Sequence, residues 1–121
     1  MDCIFCHLNR PTLAESKLSY ACLDNYPVSK GHTLVVPRRH VASLWDMTAD
    51  EYTDAFTLVR QAKDMLQKQF KPAGFNVGVN CGEAAGQSVL HAHIHIIPRY
   101  TGDVPNPRGG VRNVIPAKGN Y

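Results

Sequence analysis

Three histidines, His91, His93 and His95, occupy every second position in the stretch SVLHAHIHIIPRY. Neutral imidazole is both a nucleophile and a metal ligand near pH 7, because its unperturbed pKa is about 6.5. The β-branched residues around them favour a strand with all three histidines on one face. The apolar residues between and after them are expected to pack on the other face: Ala92, Ile94 and Ile96. Because stacked imidazoles gain little from packing, the spacing predicts chemistry rather than a purely structural role.

Two kinds of chemistry fit this spacing. One is a hydrolytic zinc site, in which histidines two apart bind a metal that carries an activated water. The other is covalent catalysis, in which His93 attacks phosphorus while its neighbours orient it and bind the phosphate oxygens. The preceding stretch NCGEAAGQS favours the second, because Asn80, Gln87 and Ser88 supply hydrogen-bond donors and small residues let backbone N–H groups approach an oxyanion.

A second candidate site is the pair Cys3 and Cys6, which forms a C-x-x-C motif, whereas Cys22 and Cys81 stand alone in apolar stretches. In a reducing compartment such a pair indicates metal binding or redox chemistry more often than a structural disulfide. The alternatives are a thioredoxin-like redox pair, whose usual strand-to-helix setting is missing, and two unligated thiols.

The elements that position these residues can be read from the pattern. Apolar, β-rich stretches at 18–24 and 32–37 predict a hairpin with a long loop, and a third strand follows in 74–82. Between them, a capping box beginning at Thr48 and apolar residues at helical spacing predict a long helix over 49–70. This order indicates an α+β fold with a mainly antiparallel sheet. Since one helix covers one sheet face, a sheet edge is expected to pair with a second subunit.

The whole chain of 121 residues suits a single domain, 1–121, in which 101–121 form an extended or partly ordered C-terminal tail. No stretch has the apolar length needed to span a bilayer and no signal region is evident, which predicts a cytoplasmic protein that binds no membrane. The formal net charge of +3 is too small for a histone-like nucleic-acid binder, so no nucleic-acid partner is expected. The basic residues cluster near 30–39 and in the tail, which suits a phosphorylated small molecule.

Three segments together resemble the histidine triad (HIT) superfamily of nucleotide hydrolases and transferases. They are CIFC near the start, LDNYPVSKGHTLVVPRRH in the middle and GFNVGVNCGEAAGQSVLHAHIHIIPRY near the end, in the order and spacing typical of HIT proteins. The resemblance implies a five-stranded, mainly antiparallel sheet with one long helix. It also implies a homodimer in which two such sheets join into one of ten strands.

The resemblance further implies a role for each site residue. His93 would attack the α-phosphorus of a purine nucleotide to form a nucleotidyl-histidine, and His95 would hydrogen-bond the phosphate oxygens. Asp24 would bind the ribose hydroxyls. The remaining implied nucleotide contacts are Asn80 and Ser88 at the phosphates or leaving group, Gly86 and Gln87 in the surrounding loop, and Ile4, Phe5 and Leu8 as the apolar wall for the base.

A structural zinc ion, one per chain, is implied in the same way. In some HIT proteins two cysteines, a histidine after the central strand and the first histidine of the triad hold zinc, and Cys3, Cys6, His40 and His91 fill these positions here. Two thiolates and two imidazoles would form a closed tetrahedral set that fixes His91 beside His93.

The C-terminus indicates a branch of the family. The only tryptophan is Trp45, so the tryptophan-containing C-terminus of the Hint-like phosphoramidases is missing. The ending RYTGDVPNPRGGVRNVIPAKGNY is similar to bacterial HIT hydrolases grouped with the Fhit-like branch, which cleaves dinucleoside polyphosphates. The resemblance thus implies a dinucleoside polyphosphate hydrolase. The alternatives are an adenosine phosphoramidase and a non-catalytic purine nucleotide-binding protein.

Overall fold

The computed structural model describes residues 3–119 and contains a five-stranded antiparallel sheet with one long helix on one face. This confirms the expected α+β fold. The strand order is β1-β2-β3-β5-β4. Residues 1, 2, 120 and 121, which belong to the expected domain and tail, lie outside the described range. The elements are β1 (Ala14–Glu15), β2 (Ser19–Leu23), β3 (Thr33–Pro37), α1 (Ala49–Phe70), β4 (Gly74–Gly78) and β5 (Ile94–Arg99).

The predicted hairpin is formed by β2 and β3, which pair from Ser19 opposite Pro37 to Leu23 opposite Thr33. Near the end of the connection between them lies Gly31, whose φ of +90° favours glycine. A Cβ atom there would also lie 2.8 Å from Cδ2 of Phe70. This close approach positions the next residue, His32, in the interior of the protein.

Helix α1 occupies the predicted range and begins with the predicted capping box. The Thr48 hydroxyl accepts a hydrogen bond from the Glu51 N–H, and the Glu51 carboxylate accepts one from the Thr48 N–H. The helix ends at Lys71, which has left-handed backbone geometry. Its buried apolar residues share one core cluster with residues of β5 and the segment before it: Ala55, Leu58, Ala62, Leu66, Ala92, Ile94 and Ile96. The helix therefore supports the strand that carries the site.

The histidine run differs from the prediction in one respect. Strand β5 begins at Ile94, so His95 lies in the strand while His91 and His93 lie in the extended segment before it. The strand begins late because β3 pairs with β5 only up to Ile94, and the preceding chain instead follows the segment after β3. There the Ala92 N–H donates to the carbonyl of Val41 at 2.8 Å. The predicted alternation is nevertheless present, since the apolar residues between the histidines are buried against the helix.

The segment after β5 folds back over the sheet near β4. We expected it to be extended or partly ordered; between 101 and 119 it consists of turns and a 3-10 helix over Gly110–Val114 that contacts β4. Arg99 anchors its start by donating to both carboxylate oxygens of Asp103 at 2.8 Å and to Oδ1 of Asn76 at 2.7 Å. Among residues 3–119, no helix is both long and apolar enough to cross a bilayer.

Candidate active site and metal centre

Two cysteines and two histidines meet where the N-terminal segment crosses the approach to β5. The ligand atoms of Cys3, Cys6, His40 and His91 all lie within 4.8 Å of one another. Cys3 Sγ is 3.3 Å from His91 Nδ1, and Cys6 Sγ is 3.2 Å from His40 Nδ1. Two sulfur and two nitrogen donors converging on one point are the donor set that tetrahedral zinc prefers. These four residues could therefore hold a metal ion.

A hydrogen bond at Nε2 of His91 leaves Nδ1 free to bind a metal ion. Its Nε2 lies 2.7 Å from the carbonyl oxygen of Pro37 in a fully buried position. Since a carbonyl only accepts, Nε2 carries the proton and Nδ1 presents its lone pair to the thiols. Burial lowers the pKa of His91, an effect that the Pro37 carbonyl partly offsets and that His40 and His93 reinforce. The ring is therefore held in its neutral, ligating form.

The surroundings of Cys6 disfavour its thiolate form unless a cation is bound. Desolvation raises the pKa of Cys6, and the hydrogen bond and charge of Cys3 raise it further. A bound divalent ion would reverse this preference, because it deprotonates a thiol that coordinates it. The chemistry of the pair thus fits a metal site.

His93 has a defined tautomer. Its Nδ1 lies 2.8 Å from the backbone carbonyl oxygen of His91, so Nδ1 carries the proton and donates it. The lone pair of Nε2 is therefore available for attack. The Phe5 ring packs against the imidazole with centroids 5.1 Å apart, which restricts its rotation. The carbonyl that sets this tautomer belongs to a candidate metal ligand, so the cysteine and histidine cluster and the nucleophile are mechanically connected.

A chain of donors fixes the tautomer of His95. The Val28 N–H donates to Nδ1 of His32 at 3.1 Å, so the proton of His32 is on Nε2. That Nε2 lies 2.9 Å from Nδ1 of His95 and 3.5 Å from Oδ2 of Asp24. Nδ1 of His95 therefore accepts, and its Nε2 carries a proton. This Nε2 is buried and has no hydrogen-bond partner among the described residues.

The imidazole rings of His32 and His95 are both neutral near pH 7. Burial lowers the pKa of His95 to about 4, with further lowering by His93 and His32. Burial also lowers the pKa of His32, although Asp24 opposes the shift. A neutral His95 with an unpartnered N–H is suited to donate to an anionic oxygen, since a buried donor without a partner is costly.

A pocket of about 310 Å³ opens beside the two reactive histidines. Its volume lies within the range of small-molecule sites. Apolar side chains line it together with His93, His95 and the exposed Asn80 and Ser88. Predicted site residues that line it are Ile4, Phe5, Asp24, Asn80, Ser88, His93 and His95.

Three other predicted nucleotide contacts lie outside this lining. Leu8 packs against the cluster that contains Phe5. The Gly86 N–H donates to the Glu83 carbonyl, which ends the 3-10 helix Glu83–Ala85. Gln87 is buried, and its side-chain amide hydrogen-bonds the backbone of Gly82, Val89 and Ala42. Leu8, Gly86 and Gln87 therefore lie outside the residues that line the pocket.

Sequence reasoning missed several residues of the site, among them His32 and Arg10. His32 was assigned to the apolar strand 32–37, and the partner that reveals its role is 63 positions away. Arg10 lines the pocket, where Nε donates to the Leu23 carbonyl at 3.2 Å and Nη2 lies 3.4 Å from Cys22 Sγ. A polar residue at the start of an otherwise apolar strand was the one available signal for His32.

The arrangement combines a nucleophile, a donor for an anionic oxygen and a carboxylate. Nε2 of His93 supplies an electron pair, Nε2–H of His95 supplies a proton donor, and Asp24 supplies acceptors. Because the two rings are tilted at 62° with centroids 5.0 Å apart, one tetrahedral group can contact both. This geometry suits nucleophilic substitution at phosphorus.

The chain is similar in sequence to known proteins of one family. The model of the HIT domain matches residues 9–102. The asymmetrical bis(5'-nucleosyl)-tetraphosphatase of Schizosaccharomyces pombe is 44% identical over 88 residues, which are 73% of this chain and 48% of that protein. The adenosine 5'-monophosphoramidase hnt1 of the same yeast is 39% identical, over 82% of this chain and 75% of that one. This chain thus spans about half the length of the tetraphosphatase.

Among solved structures, a zinc-bound histidine triad family protein from Mycobacterium smegmatis superimposes with a TM-score of 0.78. It is 29% identical, and the match covers 88% of this chain and 81% of that one. The domain match, the relatives and the shared fold lead to one conclusion: the chain belongs to the HIT domain family.

Proposed function

We propose that this protein is a nucleotide hydrolase that cleaves dinucleoside polyphosphates or related nucleoside-phosphate conjugates at the α-phosphorus. The observation that carries the proposal is the pair of opposite tautomers at His93 and His95. One ring presents a lone pair at Nε2, and the other presents an unpartnered N–H at Nε2. The names of the two relatives above, a tetraphosphatase and a monophosphoramidase, support the substrate class.

In the first step, Nε2 of His93 attacks the α-phosphorus, a P–N bond forms and the bond from phosphorus to the leaving group breaks. The His91 carbonyl stabilises the positive charge that develops on the imidazole by accepting the Nδ1 proton in a hydrogen bond. His95 donates to a non-bridging oxygen as charge shifts onto the phosphoryl group. Water then attacks phosphorus, releases the nucleoside monophosphate and restores His93.

The remaining pocket residues hold the nucleotide in place. We assign Ile4 and Phe5 to the base and Asp24 to the ribose hydroxyls, because a carboxylate accepts two such hydrogen bonds. We assign Asn80 and Ser88 to the phosphates or the leaving group, because both line the same pocket as His93 and His95. Gly86, Gln87 and Leu8 act through the loop and the apolar wall rather than through direct contact.

We further propose that Cys3, Cys6, His40 and His91 hold a structural zinc ion. The neutral, Nδ1-presenting His91 and the paired thiols fit this ion, and the zinc-bound relative supports the assignment. Such an ion would supply structural cross-linking only, because four protein ligands complete its tetrahedral shell. It would fix the His91 carbonyl that orients His93.

A homodimer completes the proposal. Among residues 3–119, β4 pairs with β5 on one side only, and Val77 on it is 41% exposed. An unpaired strand of this kind is a template for another strand. Pairing of β4 with its copy would join two sheets into one of ten strands. Replacing Val77 by Lys should then lower the mass measured by light scattering from that of a dimer to that of a monomer.

Two other functions remain to be distinguished, an adenosine phosphoramidase and a non-catalytic purine nucleotide-binding protein. The test is a panel of diadenosine polyphosphates, adenosine phosphoramidate and adenylated lysine, with wild type and His93→Ala. We expect turnover of at least one compound by wild type, with a burst of leaving group, and loss of turnover in the variant with nucleotide binding retained. Binding without turnover by wild type would indicate the non-catalytic protein, and near-normal rates in the variant would exclude His93 as nucleophile.

A further inference from the structure

Arg10 lies where two cavities adjoin. It lines the pocket of about 310 Å³ beside His93 and His95, and it also lines a second cavity of about 260 Å³. Asp24 and Asn25 are shared by the two cavities as well. We propose that Arg10 binds the base of the nucleotide and selects guanine over adenine. This inference rests on the proposed function, because it starts from a nucleoside bound in the pocket.

Two hydrogen bonds hold one edge of the Arg10 guanidinium against the end of β2. Nε donates to the Leu23 carbonyl at 3.2 Å, and Nη2 donates to Sγ of Cys22 at 3.4 Å. A guanidinium has five N–H groups in a planar fork, so three of them remain on Nη1 and Nη2. No residue between 3 and 119 accepts a hydrogen bond from Nη1. The outer edge of the fork is therefore available to a ligand.

The positive charge of Arg10 has no carboxylate partner within the described part of the chain. Burial raises the pKa of the Cys22 thiol, although Arg10 opposes the shift, so the sulfur is a neutral and weak acceptor near pH 7. The carboxylate of Asp24 has other partners, since Oδ1 accepts from the Tyr26 N–H at 3.0 Å and Oδ2 lies 3.5 Å from Nε2 of His32. An acceptor on a bound ligand would therefore gain a charge-assisted hydrogen bond from Arg10.

The order of groups along a nucleotide brings the base, rather than a phosphate, to Arg10. With the α-phosphate at His93 and the ribose hydroxyls at Asp24, the base lies on the side of the ribose away from the phosphate. Because Asp24 and Arg10 line both cavities, a base beyond the ribose can reach Arg10. A second phosphate on the ribose would instead meet the negative charge of Asp24. Apolar residues of the second cavity also offer a surface to a planar ring: Pro11, Leu13 and Leu23.

Guanine and adenine differ in the groups that they present to such a fork. The N7 and O6 atoms of guanine are two neighbouring acceptors, whereas adenine has an acceptor at N7 and an amino donor at N6. Because Arg10 can only donate, it can pair with both atoms of guanine, but it would direct an N–H group at the amino group of adenine. The bidentate arginine–guanine contact is the commonest base-specific contact in protein–DNA complexes. The chemistry of Arg10 therefore favours a purine with a carbonyl at C6.

Binding of three nucleoside monophosphates tests the inference directly. GMP and IMP carry O6, whereas AMP carries the N6 amino group, and IMP lacks the 2-amino group of GMP. We expect calorimetry on wild type to give Kd values for GMP and IMP at least about fivefold below that for AMP, the lower end of the range for a bidentate contact to a base edge. Equal Kd values for all three, or an IMP value equal to that of AMP, would overturn the inference.

Variants make the test specific to Arg10. Arg10→Met keeps an unbranched stem and removes the fork, so GMP and IMP should bind as weakly as AMP, whose Kd should change little. Arg60→Met is the matched control, because Arg60 is exposed on α1 and lines neither cavity, and it should retain the wild-type preference. Arg10→Lys keeps a cation without the paired N–H groups and replaces Arg10→Met in the test if that protein does not fold. The full wild-type preference in either Arg10 variant would overturn the inference.

A mixed substrate separates this inference from the proposed function. In adenosine(5')tetraphospho(5')guanosine, hydrolysis at the α-phosphorus next to guanosine releases GMP and ATP, and hydrolysis next to adenosine releases AMP and GTP. We expect wild type to form GMP and ATP at least about fivefold faster, and Arg10→Met to form the two product pairs at similar rates. Cleavage by wild type without preference would overturn selection by Arg10 and leave the hydrolase standing. Absence of cleavage, with GMP and IMP still bound more tightly than AMP, would overturn the hydrolase and leave base selection standing.

Discussion

Nε2 of His32 lies 2.9 Å from Nδ1 of His95 and donates its proton there, so a fourth histidine sets the tautomer of the third. The direction of this hydrogen bond follows from the backbone, because the Val28 N–H occupies the other nitrogen of His32. Without His32, His95 could place its proton on either nitrogen. His32 is thus a positioning residue for the donor that faces the phosphate.

Replacing His32 by Phe should lower kcat by about tenfold to a hundredfold, the range for losing a hydrogen bond that orients a functional imidazole. KM should change little, since His32 does not line the pocket of about 310 Å³ beside His93 and His95. His32→Gln is the matched control, because its amide places a donor near the position of Nε2 and should restore part of kcat. Equal kcat values for the two variants would contradict a positioning role, as steady-state kinetics would show.

Stability should depend on pH through His95. Its pKa in the folded protein is lowered to about 4 by burial, and it is about 6.5 when unfolded. Between these values the unfolded state binds more protons, so the free energy of unfolding is highest above about pH 6.5 and falls as the pH drops toward 4. Urea unfolding across this window should show a shallower pH slope for His95→Asn than for wild type. An unchanged slope would contradict the buried, neutral His95.

Metal content should depend on Cys3 and not on every thiol. We expect about one zinc per chain by elemental analysis of protein purified without chelator, which is the stoichiometry of a closed four-ligand site. Cys3→Ser should lose the metal and melt at a lower temperature. Cys81→Ser removes a half-buried thiol outside the cluster and should retain it. Wild-type protein with little zinc, or a Cys3→Ser protein with unchanged melting temperature, would count against the site.

Gln87 is expected to act through the loop rather than on the nucleotide. Its amide nitrogen donates to the carbonyls of Ala42 and Val89, and its Oε1 accepts from the Gly82 N–H at 2.9 Å. Gln87→Leu removes three hydrogen bonds to part-buried backbone groups and should cost about 1–3 kcal/mol of unfolding free energy. Glu83→Gln, an exposed change in the same loop, should cost little. Chemical denaturation measures both, and equal stabilities would show that these bonds are not important.

The sequence predicted local elements better than long-range contacts. Helix α1 and the β2–β3 hairpin follow from capping, periodicity and turn residues, which act between near neighbours. The start of β5 could not be placed, because it depends on where β3 stops pairing, at Val35 opposite Ile94. The two-residue strand β1 is too short to show a pattern, and the 3-10 helix at 110–114 depends on packing against β4.

In the site, too, local motifs were predicted better than contacts between distant residues. The motif spacing indicated His93 and His95, and the family resemblance implied the cysteine and histidine cluster. The tautomers became evident only from the hydrogen-bond partners. The role of His32 depends on a contact between two strands that no local pattern encodes. Gln87 was grouped with the phosphate donors because its residue type fits, whereas its burial and its bonds within the loop are tertiary properties.

The central claim is that His93 becomes covalently bound to the nucleotide during turnover. The most direct measurement is rapid mixing with a diadenosine polyphosphate, quenching in alkali because phosphohistidine is labile in acid, and mass spectrometry of the peptide that contains residues 88–99. We predict an added nucleoside monophosphate on His93 in wild type and none in His93→Ala. Turnover by wild type without any adduct, or an adduct on another residue, would contradict the account.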